Sequence, residues 1–287
     1  MPAMPRPARS IWGETGIYWM LVMPALFMLL GFYIFPLVRV LWISVMEPTP
    51  GLGNYALLFT SASIHQVVLT TLRICLLTTG ITLLLGYAVA YVMAQAGPRT
   101  QRWMMLGILL PLWISVLVRA FAWVALLRRQ GVINNALVGM GVIEDPLPLI
   151  WNELGIVIGM VHYMLPFAVL PLLTGMRGID RRCLAAARGL GASRTQSFLG
   201  VFLPLSLPGV VGAGILVFIF SLGFLVTPAI LGGGRTLMIA EYISVQILDV
   251  VQWGVGTMLA TTLIVFIFAL LALLSRVVDL RRLFGAV

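Results

Sequence analysis

Long apolar runs separated by short polar intervals dominate the chain, and six of them reach membrane length: about 18–42, 68–94, 103–127, 154–175, 206–230 and 252–275. A helix needs about 20 consecutive apolar residues to cross a hydrocarbon core. The pattern therefore predicts an all-α integral membrane protein with six transmembrane helices. They form a single domain over residues 18–278, with tails at 1–17 and 279–287. The first run holds 21 uncharged residues from Tyr18 to Val38, too long for the core of a signal peptide, so it reads as an uncleaved span. The fifth lies in an uncharged stretch of 37 residues, Phe198 to Gly234. That length exceeds one span and falls short of two with a turn, so an interfacial helix ending at Pro204 and then one span is expected.

The polar interval before the fifth span, 178–209, carries strong local signals. Asp180 suits a helix N-cap, and the helix it starts, Arg181 to Gly189, should stop at Gly191, which tolerates the left-handed conformation of a helix end. Ser193 with Gln196 three residues on fits a capping box, followed by an apolar stripe of Phe198, Leu199, Phe202 and Leu203. The local prediction is helix, glycine bend, helix. On the residues alone this is either a compact projecting knob or an ordinary basic loop whose arginines fix orientation.

Composition narrows the class. The chain is 61% hydrophobic and 9% charged, against roughly 25% charged in soluble domains. All 18 basic residues are arginine. Without lysine there is no phosphate-loop lysine and no Schiff base, which excludes a Walker-type ATPase and pyridoxal chemistry within this chain. The net charge of +9 sits beside apolar spans, so it reads as an orientation signal and not as a nucleic-acid surface. With the N-terminus cytoplasmic, 12 arginines fall on the inner side and 6 on the outer. That bias predicts both termini inside and puts 178–209 on the cytoplasmic face. Cys75 and Cys183 are expected in a span and in this loop, where they do not pair.

Nothing in the sequence reads as catalytic. No metal-ligand cluster and no serine–histidine arrangement appears, and Leu231 to Arg235, LGGGR, reads as a turn. The acidic residues lie outside the spans or at their ends, so an intramembrane carboxylate for proton coupling is lacking. His162, with Tyr163 beside it, is either on a translocation path or a neutral imidazole bonded to a neighbouring helix. Glu241 and Asp249 are candidates for attracting a cationic solute at the outer mouth. Arg73 and Arg119 are expected to snorkel to headgroups.

The run Leu184 to Pro204 resembles the cytoplasmic Glu-Ala-Ala loop of ABC importer permeases. Ala186, Ala187, Gly191 and the pair Leu203–Pro204 stand at the motif's positions, while Ala185 replaces its glutamate and Gly189 an aspartate often found there. The segments NYALLFT, PLWISVLVRAFAWVALLRRQGVINNAL, DPLPLIWNELGIVIGMVHYMLPFAVLPL and SLGFLVTPAILGG are similar to the spermidine/putrescine branch of that family. The resemblance implies the type I importer fold of a bacterial inner membrane, with a coupling helix that docks on an ATPase. Its residues here would be Asp180, Ala185, Ala186, Ala187, Gly191, Ala192, Ser193, Leu203 and Pro204. It further implies two cytoplasmic ATPase subunits holding ATP and Mg, a second permease that is a paralogue, and an extracytoplasmic solute-binding protein. No cofactor is implied for this chain. The competing reading is an ion- or proton-coupled carrier working alone, with a membrane-embedded enzyme or scaffold as a third.

Overall fold

The computed structural model describes residues 11–277, so the first ten residues of the expected N-terminal tail and all of the expected C-terminal tail, 279–287, lie outside the described residues. Among the described residues every regular element is a helix. In order they are α1 Ile11–Leu29, α2 Phe35–Met46, α3 Gly53–Thr60, α4 Ala62–Gln95, α5 Pro98–Leu109, α6 Val116–Leu127, α7 Val132–Gly139, α8 Glu153–Arg177, α9 Arg181–Gly189, α10 Arg194–Ser197, α11 Leu203–Leu222, α12 Val226–Gly232, α13 Ile239–Leu248 and α14 Trp253–Val277. Among the described residues five helices are long and apolar enough to span a membrane: Tyr18–Met46, Ala62–Gln95, Glu153–Arg177, Arg194–Leu222 and Trp253–Leu274. A bent pair makes the sixth.

The central post is α8. Asn152 caps it by accepting the Gly155 N–H at 2.9 Å, and Met160, Met164, Ala168 and Leu172 along its length are buried. On it pack α4 and α11, and small residues set the spacing. A Cβ on Gly86 would stand 3.1 Å from the Ala168 Cβ, and Gly175 faces Gly209 backbone to backbone. In lipid, where apolar side chains gain little by leaving the solvent, such close approach is what holds helices together. Two apolar clusters result. One joins Ile74, Leu127, Ile156, Met160, Leu222 and Leu231, and the other joins Met93, Met164, Leu172, Met176, Phe202 and Val217. The most apolar stretch of the first span has no buried residue, as a lipid-facing helix requires.

The boundaries differ from expectation at five places. Residues 11–17, expected in the tail, already belong to α1, and α4 begins at Ala62, where Ser61 caps it by accepting the Ile64 N–H. The third span is not one helix: a tight turn at Leu110–Trp113 and a break at Ile114–Ser115 separate α5 from α6, and the halves bend by 99°. Pro111 lacks the amide that would continue the ladder. The interfacial helix does not end at Pro204. The chain runs helical from Arg194 to Leu222, through a wide π turn at Phe198–Phe202 in which the Leu203 N–H bonds the Phe198 carbonyl. That turn gives the proline ring room where a regular turn would clash. The fifth span then stops at Leu222, and 226–232 form the separate helix α12.

Candidate functional site

The loop between α8 and α11 folds by local caps. Asp180 Oδ1 accepts the Arg182 N–H at 2.9 Å and starts α9. At the other end the Gly191 N–H bonds the Arg188 carbonyl (3.0 Å) and the Ala192 N–H bonds the Ala187 carbonyl (3.1 Å). This paired closure is a Schellman motif, and it requires the left-handed residue that Gly191 supplies at φ 91°. The next helix starts two residues later. Ser193 Oγ accepts the Gln196 N–H at 3.2 Å, and the Ser193 N–H donates to Gln196 Oε1 at 2.8 Å, a complete capping box.

The knob so formed is pinned on one side and bare on the other. Ile179 and Leu184 pack on the cluster of Met93, Leu172 and Met176, with Ala187 half-buried beside them. Arg181 Nη2 donates to the Ala94 carbonyl at 3.2 Å, at the C-terminal end of α4, where a cation meets the negative pole of the helix. Phe198 and Phe202 each set an edge on Tyr91 at 5.2 Å, whereas Leu199 of the expected stripe turns outward. Ala185, Ala186 and Leu190 face out, Leu190 with 90% of its surface exposed, and Ala192 and Leu203 are half-buried while Pro204 is exposed. The outward side of the loop therefore carries two exposed alanines and an exposed leucine, with Arg182, Arg188 and Arg194 also exposed on α9 and α10.

The other candidates lie elsewhere. His162, half-buried on α8, accepts a hydrogen bond at Nδ1 from Trp123 Nε1–H of α6 at 3.1 Å. Tyr163 is half-buried, with its ring 4.5 Å from Phe224 and 5.9 Å from Phe167. Glu241 is buried in the first turn of α13, at 7% exposure, whereas Asp249 is exposed beyond its end. Burial lifts the Glu241 carboxyl from 4.5 to about 7, a hydrogen bond at Met238 opposing the rise. The two are not brought together with His162 by any bond the structure records. Among the described residues no three or more His, Cys, Asp or Glu side chains gather to hold a metal.

Arg119 corrects the sequence reading. It does not reach for headgroups but is buried, at 8% exposure, with its guanidinium 4.6 Å from the Tyr163 ring centroid. The other expected snorkeller, Arg73, pairs with Glu153. The available signal for Arg119 was its place one helical turn from Trp123, which puts both on one face of α6.

Residues 82–283 match the family described as binding-protein-dependent transport system inner membrane component. The chain is 32% identical over 235 residues to the spermidine/putrescine transport system permease protein PotB of Haemophilus influenzae, covering 79% of this chain and 82% of that one. Against the inner membrane ABC transporter permease protein YdcU of Escherichia coli it is 27% identical, covering 80% of each. In fold it is similar to a chain in the crystal structure of a bacterial alginate ABC transporter in complex with an alginate pentasaccharide-bound periplasmic protein. The TM-score is 0.70 at 19% identity, over 93% of this chain and 98% of that one.

Proposed function

We infer what this chain does from the family to which it belongs, the binding-protein-dependent transport system inner membrane components: it is a permease subunit of an ABC importer. We further propose that its solute is spermidine, putrescine or a related amine. Relatives so named that align over most of the chain support that choice.

The observation that carries the mechanism is the capped knob α9, pinned on its inner face and bare on its outer. In this reading ATP and Mg²⁺ are held by two cytoplasmic ATPase subunits, and each ATPase cleft receives a helix such as α9. The chain contributes no lysine for nucleotide binding. When the ATPases close, α9 moves with them. Three residues, 178–180, join it to α8, and residues 190–193 join it to α10 and so to α11. No short segment links it to α4, so the Arg181 bond to Ala94 and the packing of Leu184 carry that share of the motion. The spans α4, α8 and α11 then tilt together and open the path to the other side.

A second permease of the same family would complete the path, and an extracytoplasmic solute-binding protein would deliver the solute. Both termini lie in the cytoplasm in this arrangement, which the arginine bias supports. The test is uptake of labelled spermidine by membrane vesicles carrying the whole complex. ATP-dependent uptake that vanishes when the ATPase subunit is omitted is the expected result. Uptake by this chain alone, or ATP turnover by the purified chain, overturns the reading.

A further inference from the structure

The broken third span places a cation in an unusual seat. Arg119 lies in the first turn of α6, just past the break, and its Nη2 donates to the Ile114 carbonyl at 3.0 Å. Its Nε and Nη1 are buried and have no hydrogen-bond partner. Among the described residues no carboxylate pairs with it, the one ion pair being Arg73 with Glu153. What faces it instead is a ring, the guanidinium lying 4.6 Å from the centroid of Tyr163. An aromatic ring attracts a cation through its quadrupole.

The surroundings extend that seat. Tyr163 touches Phe224 and Phe167, and Phe167 sets an edge on Phe220 at 5.2 Å, so four rings cluster where α8 meets the end of α11. Irregular backbone at membrane depth is tolerated only where it is buried in protein or lines a water-filled cavity, and the break at Ile114–Ser115 is joined to this cluster through Arg119. A path for a solute must attract it and also release it. A carboxylate would hold a polyamine strongly, whereas a ring face holds an ammonium weakly.

We propose that the face of Tyr163 is a binding site for an ammonium group of the transported solute, and that Arg119 occupies it as a built-in stand-in cation when the path is empty. This rests on the amine reading above. An arriving ammonium repels Arg119, whose two unbonded N–H donors gain partners once it swings toward water. The seat is thus exchanged between two cations and is never left bare.

The complex with its second permease, ATPase and solute-binding protein is reconstituted in proteoliposomes, and spermidine moved per ATP hydrolysed is measured. Tyr163→Leu should lower that ratio about tenfold, the scale of one cation–π contact, and Tyr163→Phe should hold it within about twofold, because the ring face remains. Tyr163→Met gives a second ring-free variant where leucine lowers membrane abundance. Arg119→Met should raise the leak of preloaded spermidine without ATP several-fold. If the wild-type complex moves no spermidine or putrescine, the amine reading fails and this site with it. If it does, but Tyr163→Leu and Tyr163→Met match the wild type, or Tyr163→Phe loses as much as they do, the proposal is overturned while the amine reading stands. An unchanged leak in Arg119→Met overturns the stand-in role.

Discussion

Gly175 and Gly209 meet with no side chain between them: a Cβ on Gly175 would stand 3.5 Å from the Gly209 Cα. This contact fixes the spacing of α8 and α11 just above the α9 knob. Alanine at 175 makes an ordinary van der Waals contact, so Gly175→Ala should leave membrane abundance near the wild type. Gly175→Leu must push the helices apart, at a cost of about 1–3 kcal/mol for overpacking, and should lower the yield of the folded complex severalfold. Fluorescence-detected size exclusion of the tagged protein reads both. Equal yields for the two variants would show that the contact does not set the spacing.

The bend at Gly191 is a backbone requirement and not a crowding one. Its φ is 91°, and a Cβ there would meet nothing within 4 Å in this chain. A non-glycine residue pays about 1–2 kcal/mol for that conformation, a β-branched one more. Gly191→Val should abolish uptake while the protein still inserts, and Gly191→Asn, which tolerates left-handed φ, should retain part of it. Ala185→Glu, restoring the residue of the similar loop, should be tolerated because Ala185 is exposed. Uptake per unit of immunoblotted protein decides. Normal uptake by Gly191→Val with the ATPase bound sinks the coupling role of α9.

Orientation has a test that needs no substitution. Cys183 on α9 is exposed and Cys75 is fully buried. An impermeant maleimide should leave intact cells unlabelled and add one label per chain in inside-out vesicles. Labelling of Cys183 from outside would invert the topology and remove the docking surface from reach of an ATPase.

Glu241 gives a pH dependence with a definite sign. Its carboxyl titrates near 7 in the folded chain and near 4.5 unfolded, so between those values the folded state keeps a proton that the unfolded state has lost. Stability therefore falls as pH rises through that window. The melting temperature in detergent should be a few degrees lower at pH 8 than at pH 5, and Glu241→Gln should flatten the difference. The same slope in both proteins would place the titration elsewhere.

The reach of the sequence follows from the range of the interactions. Caps are local, so Asp180, Gly191 and the Ser193–Gln196 box stand where the residues put them, and the all-α, multi-span fold follows from the length of the apolar runs. Hydropathy does not register a bend, so the apolar run 103–127 hid the break at Ile114–Ser115. Pro204 looked like a stop because a regular helix rejects it, and the wide turn that admits it has no composition of its own. Arg119 was misplaced because its partner, Tyr163, lies on another helix and far along the chain. The burial of Glu241 likewise depends on how α13 packs against its neighbours, which its own ten residues do not reveal.

The π turn at Phe198–Phe202 has a consequence for descent as well as for folding. It behaves as a one-residue insertion within an otherwise continuous helix. Deleting one residue there would restore a regular turn and leave the segments on either side facing nearly as they do, because the wide turn takes up the extra residue without adding its rotation of about 100°. The outward face of α9, with Ala185, Ala186 and Leu190, would keep its direction. The wide turn thus uncouples the azimuth of the knob from chain length at this point, so a lineage can gain or lose one codon here without re-aiming the surface.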